Sequence, residues 1–218
     1  MKTSRRHNNF SASLHNNPLL PSMIVFDLDD CLWTPEMHEL PGMPSIPAQG
    51  KLSNGEQGVV GVKVPRSDTT VTLYPGARQA LHELATDPKY EGIVLATASS
   101  SLEPSYSRAC LRIIEILPGV TLNDMFRHNA IGRSGRLTPN KTTHFQLLHE
   151  ESGIDYEEML FFDGMYIAKY MDSSFVCEIS SRETSLSDDD DLLFVRLQLG
   201  RPLPSRQQCL WSGRSANT

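Results

Sequence analysis

Short apolar runs, each bounded by polar residues, punctuate the chain: Met23-Ile24-Val25-Phe26, Ile93-Val94-Leu95-Ala96, Met159-Leu160-Phe161-Phe162 and Phe175-Val176-Cys177. Unalternated runs of this length suit strands buried on both faces, the habit of a parallel sheet covered by helices. Helical periodicity fills the intervals. Pro75 opens a helix over 76–86 whose Ala77, Ala80, Leu81 and Leu84 share one face, and Pro88 forbids its continuation. A second helix is predicted over 105–117, turning Ala109, Leu111, Ile113, Ile114 and Leu117 inward and ending at Pro118-Gly119. Asn140 caps a third, which carries Phe145, Leu147 and Leu148 to the core. The acidic run 188–191 reads as the N-terminus of a further helix bearing Leu192, Leu193, Val195 and Leu197, since it lacks the interleaved spacing of a calcium loop.

Strands alternating with helices imply an α/β fold with a doubly wound, mainly parallel sheet, whose ligand site lies at the carboxyl ends of the strands where strand order reverses. Residues 33–74 break the alternation. They are rich in Pro and Gly, with strand-like Val59-Val60, Val62-Lys63-Val64 and Val71-Thr72-Leu73 near the end. A small β-hairpin insertion over 34–74 is therefore expected after the first strand, overhanging the site as a minimal lid. The domain spans 23–199, between a polar, disordered tail at 1–22 and a flexible one at 200–218.

Bulk properties exclude several classes of function. The chain of 218 residues suffices for one domain of ordinary size. No stretch approaches the roughly 20 apolar residues of a membrane helix. A formal charge of −6 leaves no basic footprint for nucleic acid. Cys31, Cys110, Cys177 and Cys209 form no C-x-x-C pair, which argues for a reduced, cytoplasmic protein without a zinc knuckle. The acid-free tail before Asp27 is loosely like an organelle transit peptide, though a disordered tail is the plainer reading. Oligomeric state leaves no signature, and a monomer is the default.

Chemistry collects at the strand ends. The first run leads into Asp27-Leu28-Asp29-Asp30, and like charges this close call for compensation, commonly a divalent metal with oxygen ligands. Alone, D-x-D also fits sugar-nucleotide transferases and ordinary acidic loops. After the second run come Thr97, Ser99, Ser100 and Ser101, hydroxyls able to donate to a phosphoryl oxygen. Lys141 stands at the start of the third helix, and Asp163 follows the third run. No G-x-S-x-G elbow is present, and the acids are out of order for a receiver domain. His144 and His149 lack the spacing of a helical zinc pair and read as satisfied histidines.

The order Asp-x-Asp, Ser or Thr, Lys, Asp resembles the four motifs of haloacid-dehalogenase (HAD) superfamily phosphatases. Val25-Phe26-Asp27-Leu28-Asp29 with Leu32-Trp33, Leu73-Tyr74-Pro75, Lys141-Thr142-Thr143-His144-Phe145 and Phe161-Phe162-Asp163 resemble its magnesium-dependent, acid phosphatase-type family. The resemblance implies a three-layer, HAD-like Rossmannoid fold. It implies an Mg²⁺-dependent phosphate monoesterase acting on phosphotyrosine or phosphorylated sugars, so that the partner is a phosphoprotein or a phosphorylated small molecule. Asp27 would be the nucleophile, forming an aspartyl-phosphate, and Asp29 the acid and then the base. Ser99, Ser100 and Lys141 would bind the phosphoryl group. Mg²⁺ would be held by Asp27, Asp163 and Asp29, the last through its backbone carbonyl. The chain departs from the family at Cys31, at Ser100, where nearer relatives carry Arg, and at Gly164, where relatives carry a second carboxylate. Gly164 implies the alternative of a catalytically impaired phosphate- or protein-binding module.

Overall fold

The computed structural model describes residues 20–163 and, beyond them, the backbone of two strands, Phe175–Glu178 and Phe194–Leu199. The first apolar run is β1 (Met23–Phe26), buried at every position. Four strands follow: β2 (Trp33–Thr34), β3 (Ile46–Lys51), β4 (Gln57–Lys63) and β5 (Thr70–Leu73). Helix α1 (Pro75–Thr86) leads to β6 (Val94–Ser99) and α2 (Pro104–Ile113). A short hairpin, β7 (Glu115–Leu117) and β8 (Val120–Thr121), precedes α3 (Leu122–Met125) and β9 (His128–Ile131). Helix α4 (Lys141–Ser152), β10 (Met159–Phe162), β11 (Phe175–Glu178) and β12 (Phe194–Leu199) complete the described elements.

The main sheet has the order β11-β12-β10-β1-β6-β9. Strands β10, β1, β6 and β9 are parallel, and β12 runs antiparallel to both β10 and β11. Because successive side chains alternate between faces, β1 feeds two cores. Met23 and Val25 join Ala96, Ala98, Phe161 and, from α4, Phe145 and Leu148. Ile24 and Phe26 join Leu95, Phe162, Cys110 and Leu111 of α2, and Leu81 of α1. The result is a three-layer α/β fold. Phe26 stacks on Phe162 at 5.0 Å and meets Phe126 edge-on at 5.9 Å, contacts each worth about 0.5–1.5 kcal/mol beyond simple burial. Among the described residues no helix is long and apolar enough to cross a membrane.

Several expectations need correction. The 33–74 insertion is not a hairpin but a four-stranded antiparallel sheet, β2-β5-β4-β3, whose Trp33, Met37, Val62, Val64, Val71 and Leu73 are buried in the same core as Phe26 and Leu81. The second helix stops at Ile113, where Ile114 takes extended backbone and the chain turns into β7 at Glu115. Residues 194–199 form a strand rather than a helix, because Val195, Leu197 and Leu199 alternate with Arg196 and Gln198 at a period of two. The run at 175–177 belongs to an antiparallel strand at one edge of the sheet, not to a buried parallel one. The acidic run 188–191, Gly164, residues 1–19 and the C-terminal tail lie outside the described residues. Ser22, expected in a disordered tail, is instead tied to the sheet, its N–H donating to the Glu158 carbonyl and its carbonyl accepting from Val94 N–H.

Helix α4 bears out its expected start. The Asn140 side chain accepts from Thr142 N–H at 2.9 Å, and Gly153 closes the other end in the left-handed region at φ 71°. Asn140→Ala is expected to cost about 1 kcal/mol, read as a lower urea midpoint with unchanged slope. An unmoved midpoint would deny the cap any role.

Candidate active site

Strands β1 and β10 pair in register, Phe26 opposite Phe162, and Asp27 N–H donates to the Phe162 carbonyl at 2.9 Å. Asp27 and Asp163 therefore leave the sheet side by side, both buried. This is also where strand order reverses: from β1 the chain goes to β6 and β9 on one side, then to β10 on the other. Ligands of open α/β sheets bind in such crevices. The Cys31 thiol lies close enough to both carboxylates for their charges, after burial, to push its pKa up.

Lys141 reaches the same point from α4. Its buried stripe is Lys141, His144, Phe145 and Leu148, the i, i+3, i+4, i+7 spacing of one helix face. Lys141 Nζ stands 2.8 Å from Asp27 Oδ1, donates to the Ala98 carbonyl and lies 5.5 Å from the centroid of the Phe161 ring. The ammonium is thus desolvated, with two of its three N–H donors given to Asp27 Oδ1 and the Ala98 carbonyl. Asp27 Oδ1 also accepts from Leu28 N–H at 2.8 Å, which fixes the carboxylate rotamer.

Asp29 is anchored within its own turn. The chain turns tightly here, with Leu32 N–H bonded to the Leu28 carbonyl and Asp30 in the left-handed region at φ 55°. Asp29 Oδ1 accepts from Trp33 Nε1 at 2.8 Å. Burial raises the Asp29 pKa and the Asp27 charge adds to the rise, while the Trp33 bond opposes it. Its charge is felt at Cys110 of α2, whose thiol is pushed up to about 12, mainly by burial. Asp30, the third acid of the run, accepts from Tyr74 Oη at 2.7 Å.

The carboxyl groups of positions 27, 29 and 163 do not form a common metal cage. Among the described residues no three His, Cys, Asp or Glu side chains do so. What the chain offers a cation is the Asp27 and Asp163 carboxylates together with the Asp29 main-chain carbonyl, which accepts no hydrogen bond from a described donor. Hard oxygens in this small number suit Mg²⁺, which usually takes one or two carboxylates and fills its octahedron with water and phosphate.

The predicted hydroxyls divide. Thr97 Oγ1 donates to Asn129 Oδ1 at 3.0 Å within the sheet, and Ser101 Oγ accepts from Ser107 Oγ at 3.2 Å. Ser100 Oγ donates to the Pro139 carbonyl at 3.1 Å, so position 100 is left with its backbone N–H for a ligand. Ser99 is buried at the last position of β6, and its Oγ is held by no described partner. His144 is a feature that sequence reasoning placed only as a satisfied histidine. Its Nε2 lies 3.1 Å from the Ser99 carbonyl and 3.0 Å from that of Gly132. The K-x-x-H spacing, which sets both side chains on one helix face, was the signal available. A cavity of about 720 Å³ at the opposite end of β6, lined by Ile93, Asn123, Phe126 and Arg127 among others, contains none of these groups.

A family model described as Acid Phosphatase matches residues 19–179 of the chain. A HAD-like hydrolase superfamily protein of Schizosaccharomyces pombe is 28% identical over 143 residues, covering 66% of this chain and 75% of that protein.

Proposed function

The chain belongs to the acid phosphatase family of the HAD superfamily, and from that premise we propose that it hydrolyses phosphate monoesters through an aspartyl-phosphate on Asp27. The observation that carries the reading is the buried Asp27 carboxylate, 2.8 Å from the Lys141 ammonium and beside Asp163 at the switch point of the sheet. Asp27 attacks phosphorus in line: its carboxylate oxygen bonds to phosphorus as the bond to the ester oxygen breaks. Asp29, its pKa raised by burial, gives its proton to the leaving alkoxide. It then takes a proton from the water that attacks the acyl-phosphate, releasing inorganic phosphate and restoring Asp27. Ser99 Oγ, the Ser100 N–H and Lys141 bind the phosphoryl oxygens as charge redistributes. Mg²⁺, held by Asp27, Asp163 and the Asp29 carbonyl, would screen the anionic nucleophile from the anionic phosphate. Phosphotyrosine and sugar phosphates are the proposed substrates.

Purified protein with p-nitrophenyl phosphate is expected to release p-nitrophenol in the presence of Mg²⁺, to stop on addition of EDTA and to resume when Mg²⁺ is restored. Turnover indifferent to EDTA would remove the metal from the reading. No turnover across a panel of phosphoesters, with phosphate still raising the melting temperature, would favour a phosphate-binding module instead. The acid role has its own test. The Trp33 bond lowers the Asp29 pKa, so Trp33→Phe is expected to move the alkaline limb of kcat for an alkyl phosphate to higher pH, where Asp29 would otherwise have lost its proton. A limb that stays in place would take the acid role from Asp29.

A further inference from the structure

Three successive carbonyl oxygens at the end of β6 are each tied to a basic side chain. Lys141 Nζ donates to Ala98 O, His144 Nε2 to Ser99 O at 3.1 Å, and Arg133 Nε to Ser100 O at 2.5 Å. Gly132 N–H adds a second donor to Ser99 O at 2.8 Å. All of these donors come from one stretch of chain, 132–144, on one side of the turn. A trans peptide is planar, with its C=O and N–H opposed. Pulling the carbonyls of Ser99 and Ser100 toward His144 and Arg133 therefore turns the N–H groups of Ser100 and Ser101 the other way. Among the described residues neither N–H makes a hydrogen bond. Successive unpaired N–H groups in a turn form a concavity for anions.

We infer that His144 and Arg133 are positioning residues, which hold the backbone amides of Ser100 and Ser101 toward the transferred phosphoryl group. The inference rests on the phosphatase reading of this site and names the side chains that preorganise its anion cradle. His144 is suited to the task because it is wholly buried and meets only main-chain carbonyls, those of Ser99 and Gly132 at Nε2 and, farther off at 3.4 Å, that of Asn140 at Nδ1. Two carbonyls share Nε2, at 3.0 and 3.1 Å, which places the single N–H of the neutral ring there. Burial and the neighbouring Lys141 charge both favour that neutral form. Arg133 is exposed and makes no other hydrogen bond among the described residues, so its contribution is separable from folding.

The test is calorimetric titration of the full-length protein with inorganic phosphate in the presence of Mg²⁺, beside kcat and KM for p-nitrophenyl phosphate. Arg133→Ala and His144→Ala are each expected to weaken phosphate binding and to raise KM roughly five- to thirty-fold. His144→Gln, whose amide N–H can replace Nε2–H, is expected to recover most of the loss. A purely structural role would lower the active fraction, and hence kcat, without moving KM or the phosphate affinity. Phosphate affinity of Arg133→Ala within twofold of the parent would overturn the inference, and so would a parent that does not bind phosphate. A parent that binds phosphate but hydrolyses no ester would end the phosphatase reading, while the same titrations would still decide the cradle.

Discussion

Replacing Asp27 with Asn is expected to lower kcat by at least about a thousandfold while leaving the fold intact. Asn fills the same volume, and its amide oxygen can still accept from Leu28 N–H, so the turn after β1 keeps its anchor. What is lost is the anionic oxygen that, in the proposed reaction, would form the bond to phosphorus, and an amide offers no comparable nucleophile. The Lys141 ammonium also loses its counter-ion, so a modest fall in stability accompanies the loss of activity. The measurement is kcat for the parent and variant beside their urea denaturation curves. Activity within tenfold of the parent, in a variant shown to be folded and free of deamidation, would remove the covalent route.

Lys141→Met is expected to cost roughly 3–5 kcal/mol of stability, because it leaves a buried carboxylate without its partner. Methionine keeps most of the stem volume and its contact with the Phe161 ring, so the loss isolates the ammonium from packing. Asp27 would then face Asp163 with no cation among its described contacts. Adding Asp27→Asn to Lys141→Met should restore part of the lost stability by removing the uncompensated charge, and a double-mutant cycle in urea reads the difference. Strictly additive costs would mean that the ion pair contributes no coupling and that Lys141 acts through volume alone. The same variant should lose activity, since the phosphoryl group would meet two carboxylates without the ammonium.

The central strands were legible because burial on both faces left apolar runs in them: β1 and β10 match their runs residue for residue, while β6 begins one residue after the start of its run, at Val94, and goes on three residues past it to Ser99. Strand β9 was not legible. It lies at the edge of the sheet, and its His-Asn-Ala-Ile carries polar side chains with local partners, Asn129 accepting from Thr97 and His128 facing Glu151. The second helix was overextended because Ile113, Ile114 and Ile116 continue an apolar pattern that serves equally for the turn into β7. At the site, residue types and order set Asp27, Asp163 and Lys141 at strand ends and a helix start, and the structure brings those three positions together. Directions of side chains were beyond such reasoning. That Asp29 turns to Trp33, that Ser100 turns to Pro139 and that His144 faces two carbonyls all depend on a turn whose backbone the residue types alone do not fix.

The insertion after β1 shares its buried side chains with the main sheet, Trp33, Met37, Val62 and Leu73 lying in one cluster with Phe26, Leu81 and Ile116. Swinging it outward as a rigid flap would expose those residues to water at about 25 cal/mol for every Å² uncovered, so its hinge is welded shut. In the proposed reaction the insertion then stays seated through every cycle, and turnover should carry no viscosity dependence arising from its motion.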